Sequence, residues 1–447
     1  MYKIGFVSLG CPKNLTDTET MLGLLGDKFE IVTDPMQAEI IIVNTCGFIE
    51  SAKQESINTV LEMAQYKETG CLKKLIVTGC LAQQYRDVIL EEIPETDAVV
   101  GTGSYQDIAE VLEKVLDDER PVVTGDINGE IPENLPKIQA TPPYTAYLKI
   151  AEGCDNHCTY CIIPFLRGKY RSRTPENILA EAKSLAERGV TELVLIAQDT
   201  TSYGCDLEGD MTTAKLLRSL GEVDGIRKIR LLYCYPEKVT DELICEMARN
   251  PKVCKYIDIP MQHAADPVLK RMGRRVSNAQ LRTLVKKLRT AMPEITIRTT
   301  FITGFSGETE EDFLVLKDFV REMKFDRVGV FPFSLEEGTP AEKLDGVIPE
   351  EIRKARADEI MEMQQDISLE INQSKIGKTL EVLCTGQLRD GRYEGRTDGD
   401  APEIDGSVVF EADKAAPGEY VNVLITEAGA YDLEGKVPYN FDKEETL

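Results

Sequence analysis

Nowhere in the 447 residues is there a run of about 18 uninterrupted apolar residues, the length a membrane-spanning helix needs, because charges or glycines break every apolar stretch. The opening MYKIGFVSLG also lacks a basic region followed by a long apolar core, the mark of a secretory leader. These two absences point to a cytoplasmic protein that spans no membrane. Positive charge is scarce as well: 52 Lys and Arg face 77 Asp and Glu, a formal net charge of -25. Such a field repels polyphosphate and attracts basic partners, so bulk nucleic-acid binding is disfavoured. What remains, 42% hydrophobic and 29% charged residues, is the composition of a globular chain with room for about three domains. A chain of this size can bury its cores without metals or disulfides. Its twelve cysteines, in a chain with no export signal, belong to a reducing compartment, where clustered thiols bind metal or do catalysis.

Three blocks follow one another. Residues 1–125 alternate apolar runs (KIGFVSLGC, EIIIVNTC, KLIVTGC, DAVVGTG) with amphipathic stretches, which predicts a parallel α/β sheet. Residues 126–140 carry proline and glycine without apolar periodicity and read as a linker. Residues 141–372 repeat a strand-helix unit six times, with strand runs AYLKIAEG, ELVLIAQD, KIRLLYCYP, YIDIPMQ, TIRTTFITGF and RVGVFPFS. Right-handed crossovers would curl six such units into an incomplete (β/α)6 barrel of TIM type, with its chemistry at the strand C-termini. The segment after Pro175 sets Ile178, Leu179, Ala182, Leu185 and Ala186 on one helical face and stops at Gly189. After a charged helix, short alternating strands over 373–440 predict a small antiparallel β-barrel. From Gln373 onward it holds 8 Lys and Arg against 16 Asp and Glu.

Cys154, Cys158 and Cys161 stand as C-x3-C-x2-C directly after the first strand of the second block. Three thiolates on a four-iron cluster leave one iron open to a substrate or cofactor, whereas an electron-carrying cluster is closed by four. The competing reading, a zinc loop completed by His157, strains tetrahedral geometry because His157 adjoins Cys158. Cys11, Cys46 and Cys80 lie 35 and 34 residues apart, each ending an apolar strand run. The carboxyl ends of parallel strands share one sheet edge, where such folds bind ligands, so these three thiols are expected to converge into a second cluster. A single cysteine there would be read as core packing. Cys71, Cys205, Cys234, Cys245, Cys254 and Cys384 are read as packing residues, His263 as a structural histidine, and the run LGDKFE and the helix near Glu350 to Arg356 as solvated faces.

The segments SLGCPKN, NTCGFIESA, VTGCLAQ, GCDNHCTYCIIPFLRG and TTFITGFSGET resemble the methylthiotransferase family of radical S-adenosylmethionine enzymes along almost the whole chain. GCDNHCTYCIIPFLRGKYRSR and the late DGDAPEIDG are most similar to the branch that modifies an aspartate of small-subunit ribosomal protein twelve. The resemblance implies a TRAM-type C-terminal barrel and two 4Fe-4S clusters, on Cys154, Cys158 and Cys161 and on Cys11, Cys46 and Cys80. It further implies S-adenosylmethionine cleaved at the first cluster, sulfur delivered from the second to the aspartate β-carbon, and a low-potential electron donor such as flavodoxin or ferredoxin. The cofactor contacts it suggests are Tyr160, Gln198, Asp199, Arg298, Thr300 and Gly304. No side chain is expected to act as acid or base, and Lys13 and Asn14 are given no catalytic role. The acidic barrel suits a basic ribosomal protein and not tRNA, which calls for clustered Lys and Arg. The alternatives are a tRNA adenosine methylthiotransferase and, from another class, a non-catalytic iron-sulfur carrier or sensor.

Overall fold

The computed structural model describes residues 1–438; the expected end of the last domain at 440 lies outside them. The first block is a six-stranded, all-parallel sheet formed by β1 (Lys3–Ser8), β2 (Glu30–Ile31), β3 (Ile40–Thr45), β4 (Lys74–Gly79), β5 (Ala98–Val100) and β6 (Val122–Val123), in the order β2-β1-β3-β4-β5-β6. Its central strands β3, β4 and β5 are almost entirely buried because helices cover both faces. Ile41, Val43, Leu75 and Val77 pack with Val60 and Met63 on one side, and Ile40, Ile42, Ile76 and Val100 with Met21, Leu25 and Leu112 on the other. Each such fully buried side chain contributes about 1.5–3 kcal/mol.

The second block holds the six expected parallel strands, β7 (Thr145–Lys149), β10 (Glu192–Ile196), β11 (Lys228–Leu231), β12 (Tyr256–Asp258), β13 (Thr296–Thr303) and β14 (Arg327–Pro332). A short antiparallel pair, β8 (Ala151–Glu152) and β9 (Arg171–Ser172), interrupts the series after β7. The six strands form two three-stranded sheets, β11-β10-β7 and β12-β13-β14, joined by a parallel bridge between Ile229 and Val253. The result is an open (β/α)6 wall. The helix expected after the first strand runs Pro175–Glu187, capped by Thr174, and buries Ile178, Ala182 and Leu185. The strands β15 (Thr379–Gln387), β16 (Tyr393–Arg396), β17 (Val408–Glu411), β18 (Tyr420–Ala428) and β19 (Leu433–Lys436) close into a barrel in the order β15-β16-β17-β19-β18. The sequence suggests an antiparallel barrel; β17 and β19 instead pair in parallel, because β18 sits between them in sequence and on the far side of β19 in space.

How the three blocks meet decides where the site lies. The small barrel seats its Arg396–Asp405 turn on the N-terminal ends of the (β/α)6 strands. Arg396 pairs with Glu192, Asp400 with Arg327 at 2.7 Å, Asp405 with Arg298 at 3.4 Å, and the Asp398 carbonyl accepts from Arg230 at 2.7 Å. The DGDAPEIDG run is thus a plug for the closed end of the wall. The linker lies along the helix Pro12–Leu25, with Ile138 N donating to the Glu19 carbonyl at 3.0 Å and Ala140 N to the Glu19 carboxylate at 2.8 Å. The charged helix Glu350–Gln373 is not simply a solvated face: Arg356 bonds Glu308 at 2.7 Å, and Arg353 packs against Gly304. No helix among the described residues is long and apolar enough to cross a membrane.

Candidate active site

At the C-terminal ends of the strands, on the seam between the first and second blocks, lies one cavity of about 460 Å³ whose wall includes Cys11, Cys46, Cys80, Cys154, Cys158 and Cys161. Three adjacent strands bring in the first trio: Cys11 follows β1 at the start of the helix Pro12–Leu25, Cys46 directly follows β3, and Cys80 directly follows β4. Two glycines allow the close approach. A Cβ on Gly10, whose φ is +86°, would stand 2.8 Å from Cys46 Cβ, and one on Gly47 would meet the Leu81 and Cys80 backbone at 3.0–3.2 Å. Asn14 ties the loops together, donating to the Leu9 and Thr45 carbonyls at 3.0 Å, with its Oδ1 3.8 Å from Cys80 Sγ.

The second trio sits on a loop closed at its base by β8 and β9. Cys154 N donates to the Gly168 carbonyl at 3.1 Å, Asn156 Nδ2 lies 3.4 Å from Cys154 Sγ, and Tyr235 Oη lies 3.2 Å from Cys158 Sγ. The Arg274 guanidinium stacks 3.8 Å from the Tyr235 ring centroid. His157 is exposed, with φ +52°. Among the described residues no three His, Cys, Asp or Glu side chains are set to hold a single metal ion. A mononuclear zinc site needs sulfurs under about 4 Å apart, given Zn–S bonds of about 2.3 Å, so the zinc reading has no site here. Six thiols around a shared cavity are the donor set that iron-sulfur clusters take, and the space is larger than one ion fills.

Buried charges join the two trios. Arg167, in the run after Cys161, donates to Asp17 at 2.6 Å and Asn14 at 2.5 Å, and its Nη2 lies 3.6 Å from Cys80 Sγ. Lys149 bridges Asp17 at 2.6 Å and Glu152 at 2.8 Å, and Glu152 accepts from Gln198 at 2.6 Å. Burial would raise the Glu152 carboxyl, but Lys149 and Arg167 overcome it and hold the pKa at about 2. Burial pushes the Cys46 and Cys154 thiols up to about 11 and raises Cys161 too, so binding metal there releases protons.

Of the cofactor contacts suggested from sequence, Tyr160, Gln198 and Thr300 line the cavity. Gln198 Oε1 is buried and has no hydrogen-bond partner, an acceptor free for a ligand. The other three have different partners. Asp199 is buried and accepts from Asn156 at 2.8 Å, Ser202 at 2.7 Å and Lys238 at 3.0 Å. Arg298 pairs with Asp258 and Asp405 at the plugged end, and Gly304 is a turn against Arg353. His263 is fully buried, accepts from Ala265 N at 3.0 Å and has its Nε2 3.4 Å from Glu308. Cys234, read as packing, also borders the cavity, while Cys71, Cys205 and Cys245 are exposed. Sequence reasoning passed over Arg167, Tyr233, Tyr235 and Arg274. Only Arg167 had a nearby signal, its place in the CIIPFLRG segment.

Comparison with known proteins agrees with this layout. Residues 3–101 match an uncharacterized protein family, UPF0004; residues 148–320 match the radical SAM superfamily; residues 376–437 match the TRAM domain. A ribosomal protein uS12 methylthiotransferase from Lachnoclostridium phytofermentans is 54% identical over 97% of this chain and 99% of its own, and one from Clostridioides difficile is 52% identical over 98% and 99%. In fold, the chain is similar to TsrM, a radical S-adenosylmethionine methyltransferase from Kitasatospora setae, with a TM-score of 0.56 and 14% identity over 85% of this chain and 80% of that one. Half the residues shared from end to end, on a frame whose strand ends present six cysteines to one cavity, make this chain a member of the ribosomal protein uS12 methylthiotransferase family of radical S-adenosylmethionine enzymes.

Proposed function

We propose that this enzyme inserts a methylthio group at the β-carbon of an aspartate in ribosomal protein uS12, using one 4Fe-4S cluster on Cys154, Cys158 and Cys161 and a second on Cys11, Cys46 and Cys80. The single observation carrying this reading is that both trios border one cavity, so one inserted side chain can reach both. When bound, the clusters and S-adenosylmethionine supply the one-electron chemistry that lets an unactivated C–H bond react, together with the sulfur. The chain holds and orients. Gln198 and Thr300 line the same cavity as the second trio, where they would grip the cofactor's polar groups. Arg167 and Asn14 fix the Cys80 loop against the (β/α)6 wall, and Lys53, paired with buried Glu336 at 2.6 Å, closes the seam elsewhere. Holding two reacting centres at a set separation makes their meeting intramolecular, which is worth several orders of magnitude in rate.

Part of the acidic surface of the TRAM barrel is already used in docking, since Asp398, Asp400, Asp405 and Glu381 face basic residues of the second block. The carboxylates outside that contact would attract the basic substrate. A low-potential flavodoxin or ferredoxin would supply electrons, in the cytoplasm where ribosomes are built. The working domain limits are 1–125, 141–372 and 373–440. The test is anaerobic reconstitution followed by reaction with purified uS12 and, separately, with unmodified tRNA. About eight irons per chain and a mass gain equal to one methylthio group replacing one hydrogen on uS12 alone are expected. A modified nucleoside, or about four irons, would overturn it.

A further inference from the structure

Three cations border the six-cysteine cavity, and two are already partnered: Arg167 by Asp17 and Asn14, Arg274 by Glu237 and the Pro260 carbonyl. The third, Lys13, is 8% exposed, and its ammonium makes no hydrogen bond or ion pair among the described residues. Its ammonium lies 3.2 Å from the centroid of the Tyr233 ring. A cation–π contact returns about 0.5–2 kcal/mol, less than the several kcal/mol that burying an unpaired charge costs. The Cys11 thiolate of a loaded cluster would offset part of the rest, and an anion entering the cavity would offset what remains.

Position selects the anion. Lys13 is two residues beyond Cys11, on the first block, and reaches across the seam to Tyr233, which follows β11 on the second. It therefore reaches from beside the first trio toward the second, since Tyr235, two residues beyond Tyr233, lies 3.2 Å from Cys158 Sγ, and the unpartnered acceptor Gln198 Oε1 lines the same cavity. We infer that Lys13 is the counter-ion for the side-chain carboxylate of the substrate aspartate, and that this pair makes the enzyme choose aspartate over an uncharged residue of the same shape. The inference rests on the function proposed above.

The experiment measures binding of uS12, in forms carrying Asp or Asn at the modified position, to reconstituted enzyme with S-adenosylmethionine and no reductant, for the parent enzyme, Lys13→Gln and Lys13→Arg. The parent should prefer the Asp form by roughly tenfold or more. Lys13→Gln should bind both forms alike, at about the parent's affinity for the Asn form, and Lys13→Arg should restore part of the preference. Iron content, the cluster EPR signals and S-adenosylmethionine affinity should not change. Equal discrimination by parent and Lys13→Gln overturns the inference and leaves the proposed function standing, as does a Lys13→Gln enzyme that has lost iron or S-adenosylmethionine affinity instead. A parent that binds neither form of uS12 defeats the proposed function itself.

Discussion

Gly10 carries more of the site than its size suggests. At φ +86°, with Cys46 against it, the position accepts no side chain without moving a thiol. Gly10→Ala should cost about 1–2 kcal/mol in backbone strain and separate Cys11 from Cys46. The expected outcome is a fall from about eight irons to about four per reconstituted chain, with S-adenosylmethionine cleavage retained and methylthio transfer lost. Iron analysis beside a deoxyadenosine assay checks it, and a fully loaded, fully active variant would contradict it. At this scale the sequence was only half legible. Cysteines that end apolar runs announce themselves, because strand ends gather at one sheet edge. Asp17, Lys149 and Arg167 do not, since Asp17 meets the other two only once two domains dock.

Among the elements, β10 and β13 show how a correct strand can mislead about its side chains. Arg298 and Thr300 share one face of β13, yet Thr300 borders the cavity while Arg298 lies lower, beside Asp405 of the plug. Alternation gives the face; depth along the strand needs the docked barrel. Glu192 at the start of β10 is held the same way. Burial would raise its carboxyl, but Arg396 and Arg230 pull the pKa down to about 2. Its ordinary value is about 4.3, so its stabilisation is complete above that pH and is lost as pH falls through about 2. Glu192→Gln should cost about 3–5 kcal/mol by leaving Arg396 and Arg230 buried without their partner. It should also flatten the acid limb of the stability curve between about pH 4 and pH 2, as read by acid titration of near-ultraviolet circular dichroism. An unchanged acid limb would count against this assignment.

For the molecule as a whole, a net charge of -25 and a basic substrate class predict association that weakens with salt. Raising ionic strength from about 0.05 to about 0.5 M should slow capture of uS12 by roughly tenfold or more and change its release far less, measurable by stopped-flow fluorescence. A salt-independent association rate would show that the acidic surface plays no part in recognition. The three-block order and the incomplete barrel were readable because a linker without apolar periodicity parts two strand-helix series and the pattern turns to short alternating strands after residue 373. The plug was not: DGDAPEIDG has no apolar pattern and gains its role from the arginines it meets.

The strap of linker along the helix Pro12–Leu25, secured at Glu19, limits how the two halves can part. Parting them would break that tether and the buried Asp17 pairs with Lys149 and Arg167, so the cleft is expected to act as a fixed socket more than a hinged jaw. A target residue carried on a slim protruding loop is then expected to enter more readily than one on a broad, flat face.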